Sequence, residues 1–349
     1  MRILLPFTDP YNRAITHEVC SGGTEMFMKN INDNFDTVVH QVPYESINYS
    51  IVEKKKISRQ IINHAEDVNA DVIISNFAQT IYSGKEIITS HIPIMMIDHI
   101  IYPMSSCITR WNKAIENGHS VFFVSEWQQK KYKLMAERTN QSVVKHSGYI
   151  RPGYVKIKQK IPSEQIYDCS TIGRCDSKKA PFKLKQLTKE TELKTLVITS
   201  TTQLEKDKPY YERNKHWDNV LLNKPYNEVI ENVSKSKSFF STWNSETYGL
   251  TSLEALSCGV PVILNADKNN DHASTIIPAS KEHYKVIPHD NKEELVKTIK
   301  SFKNVDRKEI QEMTLEKHDR DAWKKHFENS IDMTTENFKK NVTLNAFMT

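Results

Sequence analysis

The chain has 349 residues, with 48 lysines and arginines against 43 aspartates and glutamates, for a net charge of +5. A length beyond the ~250 residues that one core usually serves predicts two domains, and the mild basicity is compatible with nucleic acid or another anionic partner without requiring one. Five cysteines without framework spacing exclude a disulfide scaffold and point to a reducing cytoplasm. No apolar run is long enough to span a bilayer, and Met1 leads directly into a strand, so no signal peptide is expected.

Arg2 to Phe7 reads as a buried strand. After a long polar stretch, Ser21-Gly22-Gly23-Thr24-Glu25 precedes the amphipathic run Met26 to Ile31. Strand, Gly-rich loop and helix together can cradle a phosphate or sugar, although two glycines before a helix are also ordinary turn chemistry. Val38 to His40 is a short strand. Residues 51–68 carry Lys54, Lys55, Lys56 and Arg59, then Ile61 and Ile62, and read as a helix with a basic face. A solvated surface produces the same pattern. Asp71 to Ser75 and Ile92 to Ile97 are strands, and the second runs into Asp98 and His99. An acid and an imidazole at a strand end form a candidate site, because histidine exchanges protons near neutral pH. The alternative is that Asp98 caps the next turn and His99 only packs. Val121 to Ser125 is a strand and Glu126 to Met135 a helix. Lys145 to Lys160 has linker composition, which places the domain boundary near Pro162. The expected division is 1–162, 163–325 and a terminal helical segment, 326–349.

Asp168 to Arg174 opens the second domain as a strand ending in Gly173-Arg174, followed by Lys178 and Lys179. Lys194 to Thr199 and Val220 to Leu222 are strands and Pro225 to Val233 a helix; the polar, aromatic stretch 203–217 fits no clear element. The organising stretch is 239–266. A short aromatic strand leads into a polar turn, Thr242 to Glu246, and then a helix opened by Tyr248-Gly249-Leu250-Thr251. Gly259 ends that helix, Pro261 forbids its continuation, and Val262 to Leu264 is the next buried strand. Open α/β sheets bind ligands at such strand ends. Gly249 lets a ligand approach the backbone, and the N–H groups of Leu250, Thr251 and Ser252 suit a phosphate. Glu246 and Glu254 flank this mouth, where carboxylates accept hydrogen bonds from sugar hydroxyls. In isolation the same features describe a capped helix with two solvated glutamates. Beyond it lie a polar loop from Asp267 to His272, a short strand at Val286 to Pro288, and helices over 291–303 and 306–345, the last with Trp323 and Phe327 on one face.

From Glu246 to Val262 the frame E-x-Y-G-L-x-x-x-E-A-L-x-x-G-x-P-V resembles the signature of retaining nucleotide-sugar glycosyltransferases of the GT-B fold, family 4-like. The resemblance implies an α/β protein of two Rossmann-like, doubly wound domains facing a cleft, with the C-terminal helix crossing back to the first. It implies a nucleotide-sugar donor, by family habit a UDP-sugar. Gly22 and Gly23 then lie against the donor diphosphate, as do Gly173, Arg174 and Lys179, with Lys178 as an alternative. Glu246 contacts the donor sugar, the backbone from Tyr248 through Gly249, Leu250 and Thr251 holds the diphosphate, and Glu254 holds the ribose. Asp98 or His99 stands near the acceptor. Arg174 and Lys179 neutralise charge on the leaving diphosphate, so no metal or other cofactor is expected. In size and basic composition the chain is similar to the bacteriophage enzymes that glycosylate 5-hydroxymethylcytosine in double-stranded DNA, which need Lys and Arg to grip phosphates around an extruded base. That likeness implies the host cytoplasm as location, with glucose or a pentose such as arabinose as the sugar. The other readings are transfer to a surface polysaccharide or lipid-linked sugar, and a non-catalytic sugar-nucleotide or DNA-binding protein of the same fold.

Overall fold

The computed structural model describes residues 1–8, 23–42, 50–75, 90–99, 105–139, 147–151, 153–155, 158–177, 179–200, 208–242, 248–265, 283–288 and 290–348. It divides into two compact units, Met1–Gly153 with Asp321–Thr349, and Tyr154–Arg320. The chain enters the second unit at Tyr154, ahead of Pro162. The reason is local bonding: the Val155 amide donates to the His318 carbonyl at 3.0 Å, and the Gln159 carbonyl accepts from Gln311 Nε2 at 2.8 Å.

In the first unit, strands β1 (Arg2–Thr8), β2 (Asp36–Val42), β3 (Val72–Ser75), β4 (Ile94–Asp98), β5 (Ser120–Phe123) and β6 (Ser147–Tyr149) form one parallel sheet in the order β2-β1-β3-β4-β5-β6. Helices α1 (Gly23–Asn34), α2 (Ile51–Asp67), α3 (Ser105–Glu116) and α4 (Glu126–Arg138) intervene. Every residue of β3, β4 and β5 is buried, and strands covered on both faces read as continuous apolar runs. β6 falls inside the stretch whose composition suggested a linker. Ser50 and Glu53 close a capping box at the start of α2, which fixes that helix despite its run of lysines. The core gathers Leu4, Ile61, Ile73 and Ile94 with Trp111, Phe123 and Tyr132. The Trp111 and Phe123 rings meet edge to face at 5.5 Å.

The second unit holds β7 (Cys169–Arg174), α5 (Lys183–Thr188), β8 (Thr195–Ser200), α6 (Lys208–Asn214), β9 (Val220–Leu222), α7 (Tyr226–Ser234), β10 (Phe239–Ser241), α8 (Leu250–Ser257), β11 (Val262–Asn265), β12 (Tyr284–Ile287), α9 (Lys292–Ser301) and α10 (Arg307–Lys317). Its six strands are parallel, in the order β12-β11-β10-β7-β8-β9. Strand order reverses between β7 and β10, which makes their C-terminal ends the switch point where such sheets bind ligands. Cys169, Leu184, Phe240, Ile263 and Leu295 form the main core. The aromatic stretch before β9 covers a smaller one, with Tyr210 and Trp217 packed on Phe182 and Val197.

The helix expected over 306–345 is two helices. α10 ends at His318, whose φ of −121° and ψ of 35° leave the helical region, and α11 (Arg320–Met348) follows. From Asp321 onward α11 belongs to the first unit. Trp323 and Phe327 stack at 5.4 Å, Phe27 and Phe35 meet Phe327 at 6.0 and 5.1 Å, and the Trp323 indole donates to the Arg151 carbonyl at 2.8 Å. Burying each such ring stabilises by roughly 1.5–3 kcal/mol. No helix of the described residues is long and apolar enough to cross a membrane.

Candidate functional site

β7 is buried over Cys169, Ser170 and Thr171 and opens outward to Arg174, which is exposed at the strand end. The next residues form a turn built on Asp176. Its carboxylate is buried at 7% exposure. One oxygen accepts the Lys179 N–H at 2.6 Å, and the other lies 3.5 Å from the Arg174 guanidinium Nε. The Asp176 carbonyl accepts the Ala180 N–H at 2.9 Å, and Ala180 closes the turn at φ 41°. One buried acid therefore holds the Lys179 backbone and lies beside the Arg174 guanidinium.

A chain of hydrogen bonds carries this turn across the sheet edge. The Thr242 hydroxyl donates to the Lys179 carbonyl at 2.6 Å, joining the end of β10 to the lysine turn. Asn265, fully buried at the end of β11, donates to the Thr242 carbonyl at 2.8 Å and to the Asp290 carboxylate at 3.1 Å. The other Asp290 oxygen takes the Lys183 ammonium at 2.7 Å. The Asn265 amide is satisfied on both its atoms, its oxygen accepting the Asp290 N–H at 3.0 Å, so this run of bonds holds without an orphan donor.

Gly249 caps α8 at φ 85° and ψ 57°, a left-handed conformation that a side chain disfavours. The amides of Ser252 and Leu253 both donate to the Gly249 carbonyl at 3.1 Å. Of the three amides expected to face a ligand, that of Ser252 is thus spent within the turn. Those of Leu250 and Thr251 have no backbone acceptor among the described residues. The Ser252 hydroxyl is buried with no hydrogen-bond partner among them. Tyr248 is buried, and its hydroxyl shares a hydrogen bond with His318 Nδ1 at 3.2 Å. Glu254 is partly buried, and its carboxylate is bonded by the Tyr226 phenol. Burial, and after it the Glu254 charge, pushes the Tyr226 phenol far above its ordinary range.

In the first unit Asp98 ends β4, buried at 7% exposure and opposite Phe123 of β5. His99 follows, partly buried, with its ring 5.7 Å from that of Phe27. Burial pulls its imidazole down to about 4. Gly23 is the first residue of α1. Gly22, Lys178 and Glu246 lie outside the described residues.

Residues 170–317 match the family Glycosyl transferases group 1. The second unit carries a glycosyltransferase domain. No curated protein sequence matches the chain. Among solved structures, sucrose-phosphate synthase from Thermosynechococcus elongatus is similar at 12% identity and a TM-score of 0.65, over 98% of this chain and 99% of that one. HepE from Anabaena, in complex with UDP and glucose, is similar at 14% identity and a TM-score of 0.66, over 95% and 99%. TarM from S. aureus is similar at 18% identity and a TM-score of 0.58, over 77% of this chain and 58% of that chain, so this chain spans little more than half of TarM. The fold, with its two parallel six-stranded sheets, is GT-B.

The second unit brings Gly173, Arg174 and Lys179 to the end of β7, next to the end of β10. Sequence reasoning passed over Asp176, Asn265 and Tyr226 and read Thr242 only as the start of a polar turn. Asp176 had a usable signal, since an aspartate that bonds the amide three residues on is a turn device. The others meet partners remote in sequence and leave no local trace.

Proposed function

We propose that the chain is a retaining glycosyltransferase that moves a sugar from a UDP-sugar to an acceptor hydroxyl. The observation that carries this reading is the turn that sets Arg174 and Lys179 on one buried carboxylate, at the switch point of a glycosyltransferase domain. UDP as the carrier is supported by HepE and TarM, both described in complex with UDP. In the proposed step the bond from the anomeric carbon to the diphosphate oxygen breaks, and the bond to the acceptor oxygen forms on the same face. The acceptor proton passes to the departing phosphate oxygen. Arg174, Lys179 and the amides of Leu250 and Thr251 stabilise the charge that develops on the leaving diphosphate. Glu254 holds the ribose, Glu246 orients the sugar, the Gly22–Gly23 loop serves the diphosphate, and Asp98 with His99 serves the acceptor.

For the acceptor we propose 5-hydroxymethylcytosine in double-stranded DNA. The support is charge: Lys56 and Arg59 of α2 and Lys133 and Arg138 of α4 are exposed cations of the first unit, suited to phosphates. A carbohydrate acceptor is the second reading, supported by TarM, described with alpha-GlcNAc-glycerol, and by WaaB, a lipopolysaccharide outer core galactosyltransferase. The test is UDP release from UDP-glucose and UDP-arabinose, with a hydroxymethylcytosine duplex or an oligosaccharide present, followed by the mass of each acceptor and the anomeric configuration of the product. A hexose or pentose gain on the duplex, lost in Lys179→Ala, is expected. Gain on the oligosaccharide alone moves the acceptor to carbohydrate. UDP release that is absent throughout, or that Lys179→Ala leaves unchanged, overturns the assignment.

A further inference from the structure

α8, the helix whose mouth receives the diphosphate in the proposed function, is braced along its length by α10. At its C-terminal end the Arg307 guanidinium donates to the carbonyls of Gly259 at 3.0 Å, Cys258 at 2.9 Å and Ser234 at 2.7 Å. One turn further along α10, Gln311 donates to the carbonyl of Ser257, the last residue of α8, at 2.8 Å. At the far end His318, the C-cap of α10, bonds the hydroxyl of Tyr248, the residue before Gly249. The two helices therefore run antiparallel, fastened by Arg307 and Gln311 at one end and by His318 at the other. Arg307 and Gln311 satisfy carbonyls that a helix end leaves open, which is structural work. His318 reaches the opposite end, where the chain turns through the left-handed glycine into the phosphate-binding amides.

We propose that His318 is a positioning residue for the donor site: through Tyr248 it fixes the turn that aims the amides of Leu250 and Thr251. The proposal rests on the donor-site reading above. Tyr248 and His318 are 3% and 1% exposed, so water does not replace their bond when one partner is removed. The His318 backbone is held independently, its amide donating to Thr314 and its carbonyl accepting from Val155, both at 3.0 Å. A change in the imidazole thus acts on Tyr248 rather than by unravelling α10. The amides it aims hold the diphosphate before transfer as well as during it, so its loss weakens donor binding, which UDP affinity reads apart from the chemical step.

The experiment is calorimetric binding of UDP to wild type, His318→Phe, His318→Asn, Tyr248→Phe and the Tyr248/His318 double phenylalanine variant, with thermal melts beside each. His318→Phe keeps a ring without nitrogen and is expected to weaken UDP by about tenfold, the span of one buried hydrogen bond. His318→Asn places an amide where Nδ1 stood and is expected to restore affinity to within about threefold of wild type on the same scale. The double variant is expected to bind no worse than the weaker single one, because both remove the same bond. A folded His318→Phe protein with unchanged UDP affinity overturns the proposal and leaves the donor site standing. If His318→Phe does not fold, Tyr248→Phe decides in the same way. Wild-type protein that binds no UDP removes the donor site, and this proposal with it.

Discussion

Replacing Asp176 by alanine tests the candidate site most directly. The substitution removes the acceptor for the Lys179 amide, at 2.6 Å, and the counter-charge for Arg174, at 3.5 Å. A hydrogen bond to a buried charged acceptor contributes about 1.5–3 kcal/mol. The Arg174 side chain is 47% exposed, so its ion pair is screened and adds under about 0.5 kcal/mol. The second unit is therefore expected to lose about 2–3 kcal/mol in urea unfolding. Two effects on donor turnover have opposite signs. On the proposed function, removing a negative charge beside the diphosphate favours binding, whereas freeing Arg174 and the Lys179 turn removes donors from the leaving group. One such donor is worth about 10²-fold, and with two cations affected the positional loss dominates. Asp176→Ala is expected to lower kcat/KM for UDP release about 100-fold. Asp176→Asn keeps the acceptor for Lys179 and is expected to stay within about tenfold of wild type. A folded alanine variant that turns over donor as well as wild type refutes the reasoning, because the cations would then not depend on the turn.

Gly259 sits at φ 70°, and a Cβ there would stand 2.3 Å from the Arg307 carbonyl oxygen, so Gly259→Ala strains the backbone and displaces the guanidinium clamp on α8. A loss of about 2–4 kcal/mol is expected in urea unfolding, and a loss below about 1 kcal/mol contradicts it. His119, 1% exposed, accepts the Ile94 amide at 3.3 Å, stacks on Phe338, and has its imidazole pulled by burial down to about 4. A histidine depressed in the folded state binds its proton first in the unfolded state. Its contribution is therefore complete above the ordinary value near 6.5 and is lost as pH falls towards 4, by up to about 3 kcal/mol. Urea unfolding between pH 7 and pH 4 should show that slope, reduced in His119→Asn, and an equal slope in the variant assigns it elsewhere.

The strands were legible because sheets covered on both faces make continuous apolar runs, as in Ile94–Asp98 and Val262–Asn265. The α8 unit was legible because its backbone requires glycine at Gly249 and Gly259. β6 was not, since its three residues, Ser147 to Tyr149, carry no strand signal and are recruited by pairing with β5. The break between α10 and α11 was not, since no glycine or proline marks it. It lies where His318 is fixed from outside the helix, by Tyr248 and the Val155 amide. Within the site, the cations and glycines were readable because their spacing is local. The groups that hold them, Thr242 on Lys179 and Tyr226 on Glu254, were not, because only the folded sheet brings those pairs together.

Within the proposed function, the protonation state of His99 bears on where the acceptor proton would go. Its choice from sequence rested on the ability of histidine to exchange protons near neutral pH. With its imidazole at about 4, His99 is neutral across the physiological range and is a weak base within it. It offers a hydrogen bond, not a waiting proton and not a strong acceptor for one. The diphosphate oxygen gains negative charge as its bond to the sugar breaks, so its basicity rises when the acceptor hydroxyl must lose its proton. In a same-face displacement that oxygen is also beside the incoming hydroxyl. A histidine so depressed is a poor base at neutral pH, which is compatible with the proposed transfer of the proton to the leaving group. Under the proposed function Asp98 and His99 would then orient the acceptor, and Arg174 and Lys179 would moderate the basicity of the oxygen that takes the proton.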